Sequence, residues 1–119
     1  FGGIIMINVY DTANQLEKDL RESQEYKDLQ AVVAKVKADD ATFAVYKKLR
    51  EAQKTLQEQQ MQGTLDEKVM KSLQEISQEA SQYPLMMELM EKERAISVLI
   101  DDLNKIIFKP LSEVYDIEG

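Results

Sequence analysis

The feature that most constrains this chain is a long run of apolar residues between its two prolines, Pro84 and Pro110. In this run, apolar residues recur in alternating steps of 3 and 4, which keeps side chains on one side of an α-helix. We call seven positions the apolar stripe: Met86, Leu89, Glu93, Ile96, Ile100, Leu103 and Ile107. Four more residues widen the stripe into a broad face: Leu85, Met90, Leu99 and Ile106. Such a face predicts the central helix of a bundle, a self-association surface, or both.

Four shorter segments upstream show the same helical spacing. We predict helices at about 10–22, from Ser23 to about Ala38, from Asp39 or Asp40 to Gly63, and from Thr64 to Tyr83. The fifth helix then runs from Pro84 to about Pro110, because proline suits a first turn but lacks the N–H that a helix interior needs. Two-residue alternation never persists, so no strand is predicted.

Helix ends are marked by residues that satisfy unpaired backbone groups. Cap candidates for the first two helices are Asp11 and Ser23, and for the third they are Asp39 and Asp40. Thr64 and Glu67 fit a capping box at the start of the fourth. Gly63 suits the end of the third helix, where a positive φ is wanted. The short turn at Gly63 predicts that the third and fourth helices form an antiparallel hairpin.

These observations predict an all-α protein, with about five helices in a multihelical bundle that dimerises through its long amphipathic helices. A chain of 119 residues is expected to form one domain, which we assign to 6–119. Met6 has the character of a natural initiator, so Phe1 to Ile5 are interpreted as an added remnant. The opening run FGGIIMIN is far too short to cross a membrane or to act as a signal peptide. We therefore expect a cytoplasmic protein without membrane attachment.

The charge of the chain is acidic and unevenly distributed. The formal net charge is −7; residues 1–62 carry 9 basic and 10 acidic side chains, whereas residues 63–119 carry 6 and 12. A field of this sign repels phosphate backbones and anionic lipids. Basic clusters occur at Lys35 and Lys37 and again at Lys47, Lys48 and Arg50, but acidic residues intersperse them and no aromatic platform is evident in the sequence. We therefore expect no direct binding of nucleic acid.

Catalytic chemistry finds little support in this composition. The chain has no Cys and no His, which removes thiol nucleophiles, the commonest general base and the commonest zinc ligand. The fifth helix does carry a set of carboxylates, Glu88, Glu91, Glu93, Asp101 and Asp102. Helical bundles can hold metals with inward-facing carboxylates, so a small metal-binding protein or enzyme is the alternative. Spacings such as Glu88 to Lys92 instead favour solvated ion pairs.

Glu93 is the one charged member of the apolar stripe. A buried carboxylate needs a partner, or it becomes neutral. Two outcomes stay open at this point: Glu93 lies at the rim of the packed face, or it pairs with an Arg or Lys of another helix or subunit.

Three segments carry a resemblance to a known family, which covers nearly the whole chain from Val9 to about Ile117. They are VYDTANQLEKDLRESQEYKDL, YKKLREAQKTLQEQQMQG and YPLMMELMEKERAISVLIDDLNKIIFKPL. In this whole-chain pattern the protein resembles the YheA branch of the YheA/YmcA/YlbF family, small helical proteins of Gram-positive bacteria. The resemblance implies an all-helical bundle whose long helices support dimerisation, and it brings no catalytic motif.

The resemblance also implies a regulatory role through protein partners. YmcA and YlbF act in a complex that influences competence, sporulation, biofilm formation and messenger-RNA processing through the endoribonuclease they bind. Relatives in that complex have been linked to iron–sulfur clusters held by cysteines, which this chain lacks. We therefore expect no cofactor, no catalytic residue and no metal. The expected function is that of a non-enzymatic interaction protein, a homodimer that binds regulatory proteins.

Overall fold

Residues 8–116 are described by the computed structural model, and they form five α-helices without a β-strand. The helices are α1 (Val9–Glu22), α2 (Gln24–Ala38), α3 (Asp40–Gln62), α4 (Glu67–Ala80) and α5 (Pro84–Tyr115). The predicted all-α class is therefore confirmed. The proposed start at Met6 and the outer limits of the predicted domain at 6–119 lie outside the described residues.

The first two helices are separated by a single capping serine. Asn8, rather than Asp11, caps α1, because its side-chain oxygen accepts hydrogen bonds from the backbone N–H groups of Tyr10 and Asp11. Asp11 instead lies in the first turn, where its charge complements the helix dipole. Ser23 caps α2 as predicted, and its hydroxyl accepts from the Tyr26 N–H at 3.2 Å. The chain therefore continues from α1 into α2 with almost no loop.

The turn between α3 and α4 corrects the predicted capping box. Gly63 ends α3 with φ 71°, and the Thr64 N–H donates to the Gln59 carbonyl at 2.9 Å, the pattern of a Schellman motif. Thr64 is thus part of the end of α3. The cap of α4 is Asp66, whose Oδ1 accepts from the Lys68 N–H at 2.9 Å. The fourth helix accordingly begins at Glu67 and ends at Ala80, shorter at both ends than predicted.

The predicted end of α5 at Pro110 is also wrong. The helix continues through Pro110 to Tyr115. Proline removes the N–H that would donate to the Ile106 carbonyl, but this part of the helix is exposed, so water can satisfy that carbonyl. The φ value that proline imposes is compatible with a helix, so the chain tolerates the missing bond without a break.

Two antiparallel helix pairs make up the bundle. The hairpin of α3 and α4 forms as predicted, with Lys48 Nζ 3.4 Å from Glu79 Oε1 far from the turn. The second pair joins α2 to α5, and its direction is shown by two ion pairs. Lys35 Nζ lies 3.4 Å from Glu88 Oε1, and Lys92 Nζ lies 3.9 Å from Asp28 Oδ2.

The core lies where these two pairs meet, and it is small. Its buried apolar residues come from α2, α3, the end of α4 and the start of α5: Val32, Val36, Val45, Leu49, Ala80, Met86 and Leu89. The remaining halves of the long helices extend away from this core, and the principal dimensions are 64 × 36 × 24 Å. The radius of gyration is 19.9 Å, against about 13.5 Å for a compact domain of this length. The fold is therefore elongated.

Candidate functional site: the arm formed by α1 and α5

The second half of α5 leaves the core, and residues of α1 line a groove beside it. We call α1 together with residues 96–115 of α5 the two-helix arm. The two helices face each other across an open groove of about 240 Å³. Its apolar lining consists of Ala13, Leu16 and Leu20 from α1 and of Ile100, Leu103 and Ile107 from α5. The apolar face of α1 therefore covers the stripe of α5 only in part.

The structure divides the apolar stripe into a buried and an open section. Met86 and Leu89 are buried in the core of the chain itself, at 1% and 2% exposure. Glu93, Ile96 and Leu103 are half-buried. Ile100 is 36% exposed and Ile107 is 56% exposed. In this chain, the section available to a partner is thus the one that ends at Ile107.

The sequence analysis named Ile100, Ile106 and Ile107, but the arm exposes further apolar side chains that it missed. We define the apolar arm surface as Val9, Tyr10, Ile100, Ile106, Ile107, Phe108, Leu111, Val114 and Tyr115, all of which are exposed. Leu111, Val114 and Tyr115 were missed because the helix was expected to end at Pro110. A signal was nevertheless present, since Leu111 and Val114 continue the spacing of 4 and 3 from Ile107.

Most residues on the side of α5 opposite the apolar stripe are polar. Asp101, Asp102, Lys105 and Lys109 are all exposed, and helical geometry places them away from the stripe. Two apolar residues accompany them: Val98, nine residues before Ile107, is 56% exposed, and Phe108 lines a hollow with Lys105 and Lys109. Nine residues at 100° per residue correspond to half a turn beyond two full turns, so Val98 and Ile107 point in opposite directions.

The total surface of the chain is large for its mass. A compact monomer of 13.7 kDa is expected to expose about 6,600 Å². The accessible surface of this chain is 9669 Å², an excess of about 3,000 Å² over that scaling. Contiguous apolar patches of more than a few hundred Å² are rare on monomers and mark interaction sites. The exposed side chains of the apolar arm surface contribute to this excess.

The charged residues of α5 take part mainly in helix pairing. Glu88 bonds to Lys35 of α2 rather than to Lys92 on its own helix, and Lys92 pairs with Asp28 of α2. Glu93 is half-buried and forms no ion pair with any of residues 8–116, which corresponds to the rim position considered above. Among the same residues, no three acidic side chains come together in a way that could hold a metal ion.

Fold and surface together define an elongated all-helical protein with a small core and a large uncovered apolar arm. Within the described part of the chain, no helix has the length and apolarity needed to cross a membrane. The chain belongs to the family described as control of competence regulator ComK, YlbF/YmcA, whose model matches residues 9–112. The predicted family is thereby confirmed.

Individual relatives agree with this assignment. A UPF0342 protein of Pediococcus pentosaceus is 41% identical over 110 residues, which cover 92% of this chain and 96% of the relative. The solved structure of yheA from Bacillus subtilis is 34% identical, with a TM-score of 0.72 over 92% of this chain and all of that one. A protein of unknown function (DUF964) from Bacillus stearothermophilus is 26% identical, with a TM-score of 0.80 over 92% of this chain and 96% of its own.

Proposed function

We propose that this protein is a non-enzymatic, cytoplasmic interaction protein that works as a homodimer and binds regulatory proteins. The observation that carries the proposal is the apolar arm surface, whose side chains stay between 36% and 80% exposed among residues 8–116. The family description, which names control of a competence regulator, supports a regulatory rather than a metabolic role. The absence of Cys and His from the sequence supports the non-enzymatic class.

A second copy of the chain is the partner that best fits this arm. A lone pair of helices can bury only the sides that face each other, whereas two such pairs related by a twofold axis form a four-helix bundle. The same side chains then lie on both sides of the interface, so an apolar surface meets an apolar surface. A stable interface needs about 800 Å² from each partner. The nine exposed side chains of the apolar arm surface supply apolar area for such an interface.

Self-association also explains why the polar side of the arm keeps its charges. In a four-helix arrangement, the groove between α1 and α5 faces the partner, and Asp101, Asp102, Lys105 and Lys109 stay in water. Burying charged residues without partners would cost several kcal/mol. The distribution of polar and apolar residues around α5 thus favours one side of the arm for the partner.

Sedimentation equilibrium on the purified protein tests the dimer. We expect a dimer at tens of micromolar, and replacement of Ile100 by Asp should shift it towards monomer. Because Ile100 also lines the groove against α1, circular dichroism must show that the variant keeps its helix content. A monomeric unmodified protein over this concentration range would contradict the homodimer.

Partner binding and the enzyme alternative need separate experiments. Affinity purification from the source bacterium with quantitative mass spectrometry should enrich a regulatory protein relative to uncoupled resin. Metal analysis of the purified protein, with a thermal shift assay on adding divalent ions, addresses the alternative use of the α5 carboxylates. Stoichiometric, tightly bound metal would contradict the non-enzymatic proposal.

A further inference from the structure

A second surface lies on α3, far from the arm in sequence and different in chemistry. Lys47, Arg50 and Lys54 follow each other at steps of 3 and 4 and therefore share one side of the helix. With Phe43 and Tyr46 they form what we call the basic face of α3. A shallow hollow of about 530 Å³ opens on this face between the side chains of residues 46–57. This cluster is unusual in a chain whose net charge is −7.

The aromatic rings of the basic face hold its cations in place. Lys47 Nζ lies 4.6 Å from the centre of the Phe43 ring, and the Arg50 guanidinium carbon lies 6.0 Å from that of Tyr46. The two rings stack at 6.2 Å with an interplanar angle of 23°, and both are half-buried against the core. Cation–π contacts restrict the motion of the two side chains, so less conformational freedom is lost when a ligand binds them.

The charges of the basic face are not paired within the described part of the chain. Lys47, Arg50 and Lys54 form no ion pair with any residue between 8 and 116. Their neighbour Lys48 points to the other side of α3 and pairs with Glu79 of α4. The three cations are thus directed away from the α3–α4 pair and are available to an external acid.

We propose that the basic face of α3 binds an acidic helical segment of a protein partner. Carboxylates spaced three and four residues apart on such a segment can face the three cations in register. The half-buried rings of Phe43 and Tyr46 supply apolar contact below the charges. The interaction is distinct from self-association, because a twofold contact between two basic faces would bring like charges together.

Three features favour a protein acid over a nucleic acid on this face. Glu51 lines the hollow between the cations and interrupts the positive charge that a continuous phosphate backbone needs, whereas a peptide can place an uncharged residue opposite it. Lys47 and Arg50 lie over the aromatic rings, which obstructs stacking of bases on them. The negative net charge of the whole chain repels long polyanions but has less effect on a short peptide.

Titration with a synthetic acidic peptide tests this inference. Residues 46–57 of α3 span about 18 Å at 1.5 Å per residue, so a helical peptide of about 12 to 14 residues matches the face. The probe carries Glu at helical steps of 3 and 4 and an apolar residue between them. Fluorescence polarisation at near-physiological salt should show saturable binding, and NMR shift changes of the full chain should concentrate at residues 43–57.

Charge reversal provides a matched comparison. The variant Lys47→Glu with Lys54→Glu should weaken binding about tenfold, because two exposed ion pairs are replaced by repulsion. The control Lys68→Glu with Lys71→Glu makes the same change of net charge on the exposed side of α4 and should bind like the unmodified protein. If the first variant loses helix content, the neutral pair Lys47→Gln with Lys54→Gln replaces it in the comparison.

Three outcomes would overturn the inference. They are no saturable binding of the peptide, equal loss of affinity in both charge-reversed variants, and tighter binding of a single-stranded RNA of similar length than of the peptide. None of them affects the proposed homodimer, because the apolar arm surface lies on α1 and α5 and is measured by sedimentation.

Discussion

Replacing Ile107 by Asp is the sharpest test of the apolar arm surface. Ile107 is 56% exposed in the chain. Full burial of an isoleucine side chain contributes about 1.5–3 kcal/mol, so covering the exposed part of Ile107 contributes about 1–1.5 kcal/mol per copy. A twofold interface contains this residue twice, which makes about 2–3 kcal/mol per dimer. At about 1.4 kcal/mol for each factor of ten, the dimer Kd should rise about 30- to 150-fold.

Val98 supplies a control with the same exposure on the opposite side of the same helix. It too is 56% exposed, and the change to Asp introduces the same charge. If the partner covers the groove side of the arm, Val98→Asp should leave the dimer Kd within a few-fold of the unmodified value. Sedimentation equilibrium over a wide concentration range measures all three proteins, and thermal unfolding monitored by circular dichroism shows whether each variant is folded.

Two results would refute the reasoning. Equal dissociation of the Ile107 and Val98 variants would mean that added charge, rather than loss of a specific interface, weakens association. An unchanged Kd for Ile107→Asp would mean that the second copy does not cover this part of α5. In either case the exposure of the apolar arm surface would need another explanation.

Four further predictions concern the stability of the fold. Leu89→Ala removes a core side chain that is 2% exposed and should lower the free energy of unfolding by about 2–5 kcal/mol in urea titrations; a loss below 1 kcal/mol would contradict its core position. Gly63→Ala should lower the free energy of unfolding by about 1–2 kcal/mol in the same titration, because φ is 71° there, although a Cβ would meet no neighbour. Gly63→Asn should lower it less. Asp66→Ala should cost about 1 kcal/mol in thermal unfolding, whereas Thr64→Ala should cost little, because Asp66 supplies the side-chain cap; a larger cost for Thr64→Ala would favour the capping box instead. Pro110→Ala restores a donor to the Ile106 carbonyl and should slow hydrogen exchange over 110–115; unchanged exchange would mean that the helix end is limited by other contacts.

Helix positions were largely readable from the sequence because their causes are local. Ser23, Gly63 and Pro84 each act within a few residues, through a cap, a positive φ and a fixed first turn. The two boundary errors arose where local signals competed. Thr64 is a residue type that often caps helices, but its backbone N–H already donates to the Gln59 carbonyl in the Schellman motif at the end of α3. Pro110 is a helix breaker in general, but exposure of the surrounding turn makes it tolerable.

The two candidate surfaces were foreseen to different degrees. Sequence reasoning identified the apolar stripe as far as Ile107 but stopped before Leu111. It also recorded the basic residues of the third helix but did not connect them with Phe43 and Tyr46, over whose rings Lys47 and Arg50 lie. The spacing of four between Phe43 and Lys47, and between Tyr46 and Arg50, could have indicated these contacts.

What the sequence determined by itself is the position of each helix and the side of each helix that is apolar. Both follow from relations between residues at most four apart, so they need no knowledge of distant contacts. Only the tertiary structure decided which apolar residues the chain covers. The ion pair between Lys35 and Glu88 joins residues 53 apart and helps align α2 with the first half of α5. That pairing helps to bury Met86 and Leu89 and leaves Ile107 in the open arm, because the residues of α1 that line the groove there leave it 56% exposed.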